Sequence, residues 1–322
     1  MADHEWMLRD IRGTRASPPG LAANDPQRRA IYSAGLEQFE QLLEASRSTP
    51  PPARPLPLFY ALSQAGRAIV AAKGNEPTIA GHGLSQDRSH PSSPRLLHRC
   101  IKRSPTKKDR DAFGAVSRAI DSPDLSGPVE MGALWVALPN THRIPEKDWQ
   151  ASWRPALSVL DYTDQQAIKL GLSVVRVLSF GGNPHLGESK ALEGRYPSVP
   201  ADARCRALPG NEELGPGNWA MDAFWKAEQP LDAVTCADPS DPDGSRSLLP
   251  TLPGQDEVLN PLMMWWVLLF GLSLFARYEP ELWREALSVD RSQLAVPLEA
   301  LLQKALVAVP ALLHEELLVK AS

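Results

Sequence analysis

The chain has 322 residues, of which 43% are hydrophobic and 22% charged, and its formal net charge is −4. This composition excludes wholesale disorder, a collagen-like repeat and a disulfide scaffold, and the length is enough to bury a sizeable core. The small negative charge provides no general attraction to nucleic acid or to an anionic membrane. The 31 prolines predict many stiff, irregular connections between secondary-structure elements.

Three cysteines bear on the compartment. Cys100, Cys205 and Cys236 are widely spaced and form no C-x-x-C pair, so neither a disulfide framework nor a closed zinc site is expected. The first residues do not show the basic and then apolar pattern of a secretory signal. The sequence therefore predicts a cytoplasmic location.

Two helices are predicted in the N-terminal part. The first is expected over residues 26–46, because Asp25 suits the N-cap position and Pro26 suits the first helical turn. The second is expected over residues 57–73, because apolar residues recur there at helical spacing and Gly74 suits the C-terminal end. Small residues along this second helix would let another backbone approach closely.

A basic segment follows over residues 84–118, with nine basic and three acidic residues. Its only aromatic residue is Phe113, whereas platforms for single-stranded nucleic acid combine basic residues with stacking rings. We expect either a solvated loop whose charges meet the acidic remainder of the chain, or a contact surface for nucleic acid or a nucleotide. In the second case the candidate binding residues are Lys102, Arg103, Lys107 and Lys108.

The middle of the chain has a different pattern. Short runs rich in Val and Leu, at residues 153–160 and 170–180, predict strands. Stretches rich in Pro, Asp and Gly, such as residues 238–244, predict long surface loops. The sequence therefore predicts a small mixed α/β insertion.

Helices return at the C-terminal end. Asn260 suits an N-cap, and the sixteen residues from Pro261 to Ala276 carry no charge. A membrane-spanning helix needs about 20 apolar residues, and no cluster of Lys and Arg flanks this run to orient it. We therefore expect a buried core helix and no membrane span. Three further helices are predicted over residues 280–288, 294–309 and 310–320.

Together these elements predict a mainly α protein. The N- and C-terminal helices are expected to pack into one helical core, with the small mixed α/β insertion between them. The expected parts are an N-terminal helical part with the basic loop at residues 1–125, a variable insertion at 126–255 and a C-terminal helical part at 256–322.

Two stretches resemble a known family. The block PLFYALSQAGRAI at residues 57–69, followed by GHGL at 81–84, is similar to the hallmark of YaaC-like bacterial proteins. The string LSLFARYEPELW at residues 272–283 resembles the second signature of the same family. The resemblance leaves out the variable middle of the chain. It implies a cytoplasmic, mainly helical bacterial protein, and it brings no activity with it.

The strongest candidate site combines the second predicted helix with the loop after it. Ser63 and Arg67 are four residues apart and therefore share a helical face. The glycines on both sides of His82 permit positive φ and the close approach of a ligand. Arg67 would bind a phosphate bidentately and His82 would transfer a proton, so these two are the candidate catalytic residues. The candidate binding residues beside them are Ser63, Gln64, Gly81 and Gly83.

Other interpretations of these residues stay open. Arg67 and Gln64 could instead bond carbonyl groups of the long loops, with His82 capping a turn. A further binding candidate, Arg277, lies at the end of the apolar helix. It either completes a helix–helix corner, where its charge suits the helix C-terminus, or it faces Arg67 and forms an anion site with it.

The sequence gives little support for a metal site or for a phosphate-binding P-loop. A set of three histidines and one cysteine falls in a stretch rich in Pro and Ser, so no metal site is predicted; its members are His82, His90, His98 and Cys100. Residues 182–190 imitate a P-loop, but Glu188 occupies the position of the essential lysine. The sequence indicates no cofactor.

The expected function is binding. We interpret the chain as an accessory or effector component, in a stress or phage-defence setting, that acts with a protein partner or as a homo-oligomer. The alternative is a nuclease or nucleotide-processing enzyme that uses Arg67 and His82, since an arginine and a histidine suit the chemistry of phosphate esters.

Overall fold

The computed structural model describes residues 5–89, 95–106, 110–141, 144–161, 172–179, 192, 196–199, 203–207, 219–226, 235–241 and 243–320. The chain divides into two compact units. The helical unit comprises Met1–Leu134 and Leu259–Ser322, and the sheet unit comprises Trp135–Val258. The prediction of a mainly α protein, in which N- and C-terminal helices flank a small mixed insertion, is confirmed.

The described N-terminal residues form the α-helices α1 Glu5–Gly13, α2 Pro26–Ser48 and α3 Pro55–Lys73, with a short 3-10 helix at Gly20–Ala23. The Asp25 carboxylate accepts hydrogen bonds from the backbone N–H groups of Gln27 and Arg28, at 2.8 and 3.2 Å. This N-cap satisfies donors that the first turn of a helix leaves without partners. Both predicted helices are confirmed, each two residues longer than expected, and α1 is an additional helix.

Two glycines let α3 pack closely against its neighbours. A Cβ atom at Gly35 of α2 would lie 2.9 Å from the carbonyl oxygen of Gln64. A Cβ atom at Gly66 would lie 2.4 Å from the ring of Trp266 in the C-terminal part. Any larger residue at either position would force the two elements apart. The close approach expected along this helix therefore occurs on two of its faces.

The next elements are β1 Leu84–Asp87, β2 Cys100–Arg103, α4 Ala112–Ala119, β3 Val129–Glu130 and α5 Met131–Ala137. The three strands form an antiparallel sheet in the order β1-β2-β3. Helix α4 begins at Asp111, whose carboxylate accepts the N–H of Gly114 at 2.9 Å. The described part of the basic segment is thus not a loop throughout, because it forms two short strands and a capped helix.

The C-terminal part contains α6 Pro261–Tyr278, α7 Pro280–Ala286, α8 Ala295–His314 and a π-helical turn Glu315–Val319. The Asn260 side chain accepts the N–H of Leu262 at 2.8 Å, as expected of an N-cap. Trp266 and Leu268 are fully buried. The prediction of a buried core helix is confirmed.

Two of the described helical stretches are long and apolar enough to cross a membrane by length and composition alone, namely α6 and residues 295–319. In the folded chain an apolar window of 18 residues in each stretch is 72% and 61% buried, respectively. Such burial is typical of core helices, which pass the same test of length and composition.

The helix break expected at Pro310 is wrong. Helix α8 runs through this residue, although proline has no N–H to offer the carbonyl four residues earlier, at a cost of about 3 kcal/mol. The positions on both sides, including Val309 and Leu313, are fully buried. Packing of a continuous apolar face therefore outweighs the local cost of the proline.

The sheet unit is built on six antiparallel strands, β4 Leu157–Asp161, β5 Leu172–Ser179, β6 Arg204–Ala207, β7 Trp219–Lys226, β8 Cys236–Ala237 and β9 Arg246–Leu248. Their order is β6-β7-β5-β4-β9-β8. One face carries a buried apolar cluster that includes Leu157, Val177 and Met221. The strands predicted at residues 153–160 and 170–180 correspond to β4 and β5.

Candidate functional site

The connecting segment, residues 74–83, leads from α3 to β1, and its first residues are held by Arg28 of α2. The Arg28 guanidinium donates to the carbonyl oxygens of Gly74 at 2.8 Å and Asn75 at 2.7 Å. It also reaches the carbonyl oxygen of Ala71 at 3.3 Å. One side chain therefore satisfies the open carbonyl end of α3 and fixes where the connecting segment starts.

The last residues of the connecting segment, Gly81-His82-Gly83, are held by α4. The carbonyl oxygen of Gly81 accepts the N–H of Ala112 at 3.0 Å, and that of His82 accepts the N–H of Phe113 at 3.2 Å. Both glycines have a φ of 78°, a conformation that glycine adopts without strain. A Cβ atom at Gly83 would lie 1.8 Å from an Asp111 carboxylate oxygen, so glycine is required here.

The His82 side chain lies half-buried among aromatic rings. Its ring centroid is 5.3 Å from that of Phe59, 6.4 Å from that of Tyr60 and 6.0 Å from that of Phe270. Burial and then the positive charge of Arg277 lower the pKa of His82 from its usual 6.5. The imidazole is therefore uncharged at neutral pH, and it has the protonation state of a general base.

Arg277 ends α6 close enough to His82 for its charge to act on the imidazole. Its Nε donates to the carbonyl oxygen of Ser273 at 3.1 Å, and its guanidinium lies 5.0 Å from the centroid of the Tyr278 ring. The first contact satisfies a carbonyl in the last turn of the helix, as the helix-corner interpretation expects. The structure thus brings together two of the predicted site residues, His82 and Arg277.

Arg67 lies on a different part of α3. His82 contacts the rings of Phe59 and Tyr60, and Arg67 follows two turns later, about 12 Å further along the helix axis from Phe59. The Arg67 side chain is exposed beside α2, where its Cβ would lie 3.5 Å from a Cβ at Gly35. In the described part of the chain, no hydrogen bond or ion pair joins Arg67 to His82.

The other candidates on α3 are less accessible. Ser63 is 7% exposed and Gln64 is half-buried, with its backbone carbonyl against α2. Neither position alone offers an open surface to a ligand. The shared Arg67–His82 site therefore stays a prediction.

Two of the basic candidates in the segment 84–118, Lys102 and Arg103, form ion pairs within the folded chain. Lys102 Nζ donates to an Asp87 carboxylate oxygen at 2.8 Å, and Arg103 Nη1 donates to Asp111 Oδ1 at the same distance. Arg103 also donates to the carbonyl oxygen of Gly83 at 2.7 Å. Arg103 therefore positions the connecting segment. Two further candidates, Lys107 and Lys108, lie outside the described residues.

A separate cleft of about 300 Å³ opens at the C-terminal end of α3. We call it the cationic cleft, because three basic side chains line it, Lys73, Arg110 and Arg118. The other lining residues within the described part of the chain are Val70 of α3, four residues of the connecting segment and two alanines of α4, namely Gly74, Asn75, Glu76, Thr78, Ala115 and Ala119. All of these residues belong to the helical unit.

Lys73 and Arg110 each lie beside an acidic group. Arg110 Nη2 lies 3.3 Å from Glu76 Oε2, and both side chains are largely exposed. Lys73 Nζ lies 3.7 Å from Glu316 Oε2, a carboxylate that also accepts hydrogen bonds from Asn260 and Lys320. Among the described residues that line the cleft, three are basic and one, Glu76, is acidic.

Sequence reasoning missed the cationic cleft. Its bases come from the end of α3, from the residue before the Asp111 cap and from the end of α4, so no spacing along the chain unites them. The only available signal was the basic segment as a whole. That segment contains Arg110 and Arg118 but gives no reason to prefer them over its other bases.

The described part of the chain contains no cluster of side chains that could bind a metal ion. No group of three His, Cys, Asp or Glu side chains converges there. His98 Nδ1 lies 3.7 Å from a Glu130 carboxylate oxygen, and Cys100 is buried with a pKa raised to about 11 by that burial and by nearby acids. His90 lies outside the described residues.

Comparison with known proteins identifies the family. The model of the YaaC-like protein family matches residues 13–186 and 218–317. Both stretches that carry the resemblance lie inside the matched residues, and the match extends into the middle of the chain, with residues 187–217 between its two parts. No match is found among the curated proteins or the solved structures. The chain belongs to the YaaC-like protein family.

Proposed function

We propose that this protein works by binding a small anionic molecule in the cationic cleft. The observation that carries the proposal is the convergence of Lys73, Arg110 and Arg118 on one concave surface of about 300 Å³. Ligand pockets in proteins begin at about this volume. A concave surface with an excess of one charge concentrates ligands of the opposite charge.

Arg28 makes the end of α3 beside the cleft less repulsive to an anion. The carboxyl end of a helix carries a partial negative charge that would repel an anionic ligand. Arg28 covers this end of α3 through its hydrogen bonds to the carbonyl oxygens of Ala71 and Gly74. The partial negative charge of the helix end therefore does not cancel the positive charge of the bases that line the cleft.

The cleft is also largely preformed. Arg28 fixes the start of the connecting segment, and the N–H of Ala80 donates to the carbonyl oxygen of Arg110 at 2.8 Å near its end. The wall formed by this segment is thus fixed to α2 on one side and to the chain before α4 on the other. A preformed site binds with less loss of conformational entropy.

The test is a calorimetric titration with inorganic phosphate and pyrophosphate at low ionic strength, where exposed charges are least screened. The double variant Arg110→Gln, Arg118→Gln should bind at least roughly tenfold more weakly, because hydrogen bonds to charged groups are lost. The matched control is Arg284→Gln, Arg291→Gln, which removes two exposed charges outside the cleft.

A native protein that binds neither anion at millimolar concentration contradicts the proposal. Equal affinity in the two double variants contradicts it as well, because the loss would then follow from net charge and not from the cleft.

The wider role remains part of the proposal. We place the protein in the cytoplasm, as an accessory or effector component that acts with a protein partner or a second copy. The wide spacing of Cys100, Cys205 and Cys236, without a C-x-x-C pair, supports a reducing compartment. Loss of stress or phage resistance in a deletion strain, restored by the native gene and not by the Arg110→Gln, Arg118→Gln variant, would connect the cleft to that role.

The second candidate function is nucleotide processing at His82. It is favoured by the uncharged imidazole beside Arg277, since a neutral base and a fixed cation together suit attack on a phosphate ester. Hydrolysis of a nucleotide or oligonucleotide by the native protein, lost in His82→Gln and reduced in Arg277→Lys, would favour this alternative. Hydrolysis that survives both changes would exclude this site as its origin.

A further inference from the structure

We infer that the ligand of the cationic cleft is a phosphorylated sugar, either free or as part of a mononucleotide. The inference rests on the proposed function, and it adds the chemical class of the ligand. It follows from three features of the cleft wall: an acceptor-only carboxylate among the bases, a small apolar wall, and a volume that suits one such unit.

The carboxylate of Glu76 is the first feature. It lies in the wall at 3.3 Å from the Arg110 guanidinium, so any anion held by Arg110 meets a negative charge nearby. The charge of this carboxylate repels an inorganic anion. For a ligand that carries hydroxyl groups next to its phosphate, the same carboxylate accepts charge-assisted hydrogen bonds.

The neighbouring polar residues extend this pattern. Asn75 and Thr78 line the cleft on the same connecting segment as Glu76. An amide and a hydroxyl each donate and accept hydrogen bonds, as the several hydroxyl groups of a sugar require. The connecting segment is therefore suited to the sugar, whereas the bases Arg110 and Arg118 are suited to the phosphate.

The apolar wall lies on α3 and α4. Val70, Ala115 and Ala119 line the cleft there, and the two alanines are four residues apart, so they share one face of α4. These short side chains leave room for the flat face of a sugar ring or a base. Longer side chains at the same positions would fill the cleft.

The volume sets the size of the ligand. About 300 Å³ is at the lower end of the range of ligand sites. A single sugar phosphate or one mononucleotide suits a space of this size. The class of ligand is therefore a small phosphorylated unit.

The experiment compares four probes on the native protein: inorganic phosphate, ribose 5-phosphate, 2-deoxyribose 5-phosphate and adenosine 5′-monophosphate. Ribose 5-phosphate should bind at least roughly tenfold more tightly than phosphate, because its hydroxyl groups add hydrogen bonds to a charged acceptor. The deoxy sugar should bind more weakly than ribose 5-phosphate. The nucleotide distinguishes the two sources, since tighter binding than ribose 5-phosphate shows that the base is also recognised.

A variant of Glu76 should change the affinities for inorganic phosphate and for ribose 5-phosphate in opposite directions. Glu76→Gln removes a charge and keeps the size, and the side chain is 61% exposed, so the fold should tolerate it. Inorganic phosphate should bind this variant as tightly as the native protein or more tightly, because repulsion is lost. Ribose 5-phosphate should bind it roughly tenfold more weakly, because an amide replaces the charged acceptor. Glu281→Gln, at an exposed acid on α7, is the matched control.

The outcomes separate the two proposals. If phosphate and ribose 5-phosphate bind equally, and both depend on Arg118, the cleft is an anion site and the inference about sugars is wrong. If Glu76→Gln changes the two affinities in the same direction, the inference is also wrong. If none of the four probes binds, both the proposed function and the inference are overturned.

Discussion

Two arginines of the same basic segment lie in opposite surroundings. The Arg103 side chain is 12% exposed and its partner Asp111 is fully buried, whereas the Arg110 side chain is 43% exposed and its partner Glu76 is 61% exposed. Removing one partner of a buried ion pair destabilises the fold strongly, because the other charge is left away from water without a partner. The first pair therefore holds the fold, and the second leaves its arginine accessible to a ligand.

The sequence around the two arginines does not reveal this difference in burial. Both arginines lie within seven residues of each other and close to Asp109 and Asp111. The burial of the acidic partner decides their roles: Asp111 caps α4 and faces Gly83, whereas Glu76 lies on the exposed connecting segment. Four predictions test how far this comparison holds.

The largest effect is expected from Arg103. Arg103→Gln leaves the buried Asp111 carboxylate without its cation, which should lower the free energy of unfolding by about 3–5 kcal/mol. Arg110→Gln breaks an exposed pair and should change it by less than about 1 kcal/mol. Urea denaturation followed by tryptophan fluorescence measures both. Similar losses in the two variants would show that burial does not distinguish these pairs.

The next effect concerns the glycine that faces the same pair. Gly83→Ala places a Cβ 1.8 Å from the Asp111 carboxylate at a φ of 78°. Positive φ alone costs about 1–3 kcal/mol in a residue with a side chain, and the collision adds to it. Gly244→Ala has a φ of 68° and open space around its Cβ among the described residues, so it reports the backbone cost alone. Equal thermal destabilisation of the two variants would exclude the collision.

A moderate effect is expected from pH at His82. Its pKa is lowered in the folded chain by burial and then by Arg277, so the unfolded chain binds this proton more readily. The stability that the neutral side chain provides is present above about pH 6.5 and is lost as the pH falls through that value towards the lower folded-state pKa. His82→Gln should therefore reduce the difference in urea midpoint between about pH 7.5 and about pH 5.5. An unchanged difference would mean that His82 is not desolvated.

The smallest effect is expected for nucleic acid at Lys102. If the basic segment binds a single-stranded oligonucleotide, the affinity falls with salt, because each neutralised phosphate releases counterions. Lys102 is paired with the buried Asp87, so Lys102→Gln should leave the salt dependence unchanged in a fluorescence titration. A slope reduced by about 1 would show that Lys102 contacts a phosphate and that its internal pair opens on binding.

Local signals explain what could be predicted from the sequence. Asp25 and Asn260 each precede a proline at a helix start, and capping depends on residues within one turn, so α2 and α6 could be located from the sequence. Glycine at positions 81 and 83 permits the positive φ that is observed there, which is also a local property. Helix α8, by contrast, continues through Pro310 because of burial on both sides, and burial depends on distant elements.

The candidate site was only partly predictable for the same reason. The proximity of His82 and Arg277 joins residues almost 200 positions apart, and it depends on the packing of α3 against α6. The cationic cleft depends on how α4 lies beside the end of α3. Helix α4 has eight residues, and its apolar periodicity marks the face that is buried in the core but not the alanines that line the cleft. Tertiary packing therefore brings these groups together without a matching pattern in the sequence.

The construction of the helical unit from both ends of the chain has a consequence for its synthesis. Gly66 of α3 receives its partner Trp266 200 residues later. At about 5–20 residues per second on the ribosome, roughly 10–40 s pass before that partner is made. During this interval the face of α3 that packs against α6 is uncovered on the nascent chain, while the sheet unit is translated in one continuous stretch. Slow translation of the C-terminal helices would therefore prolong the period in which the nascent chain is exposed to aggregation or to chaperones.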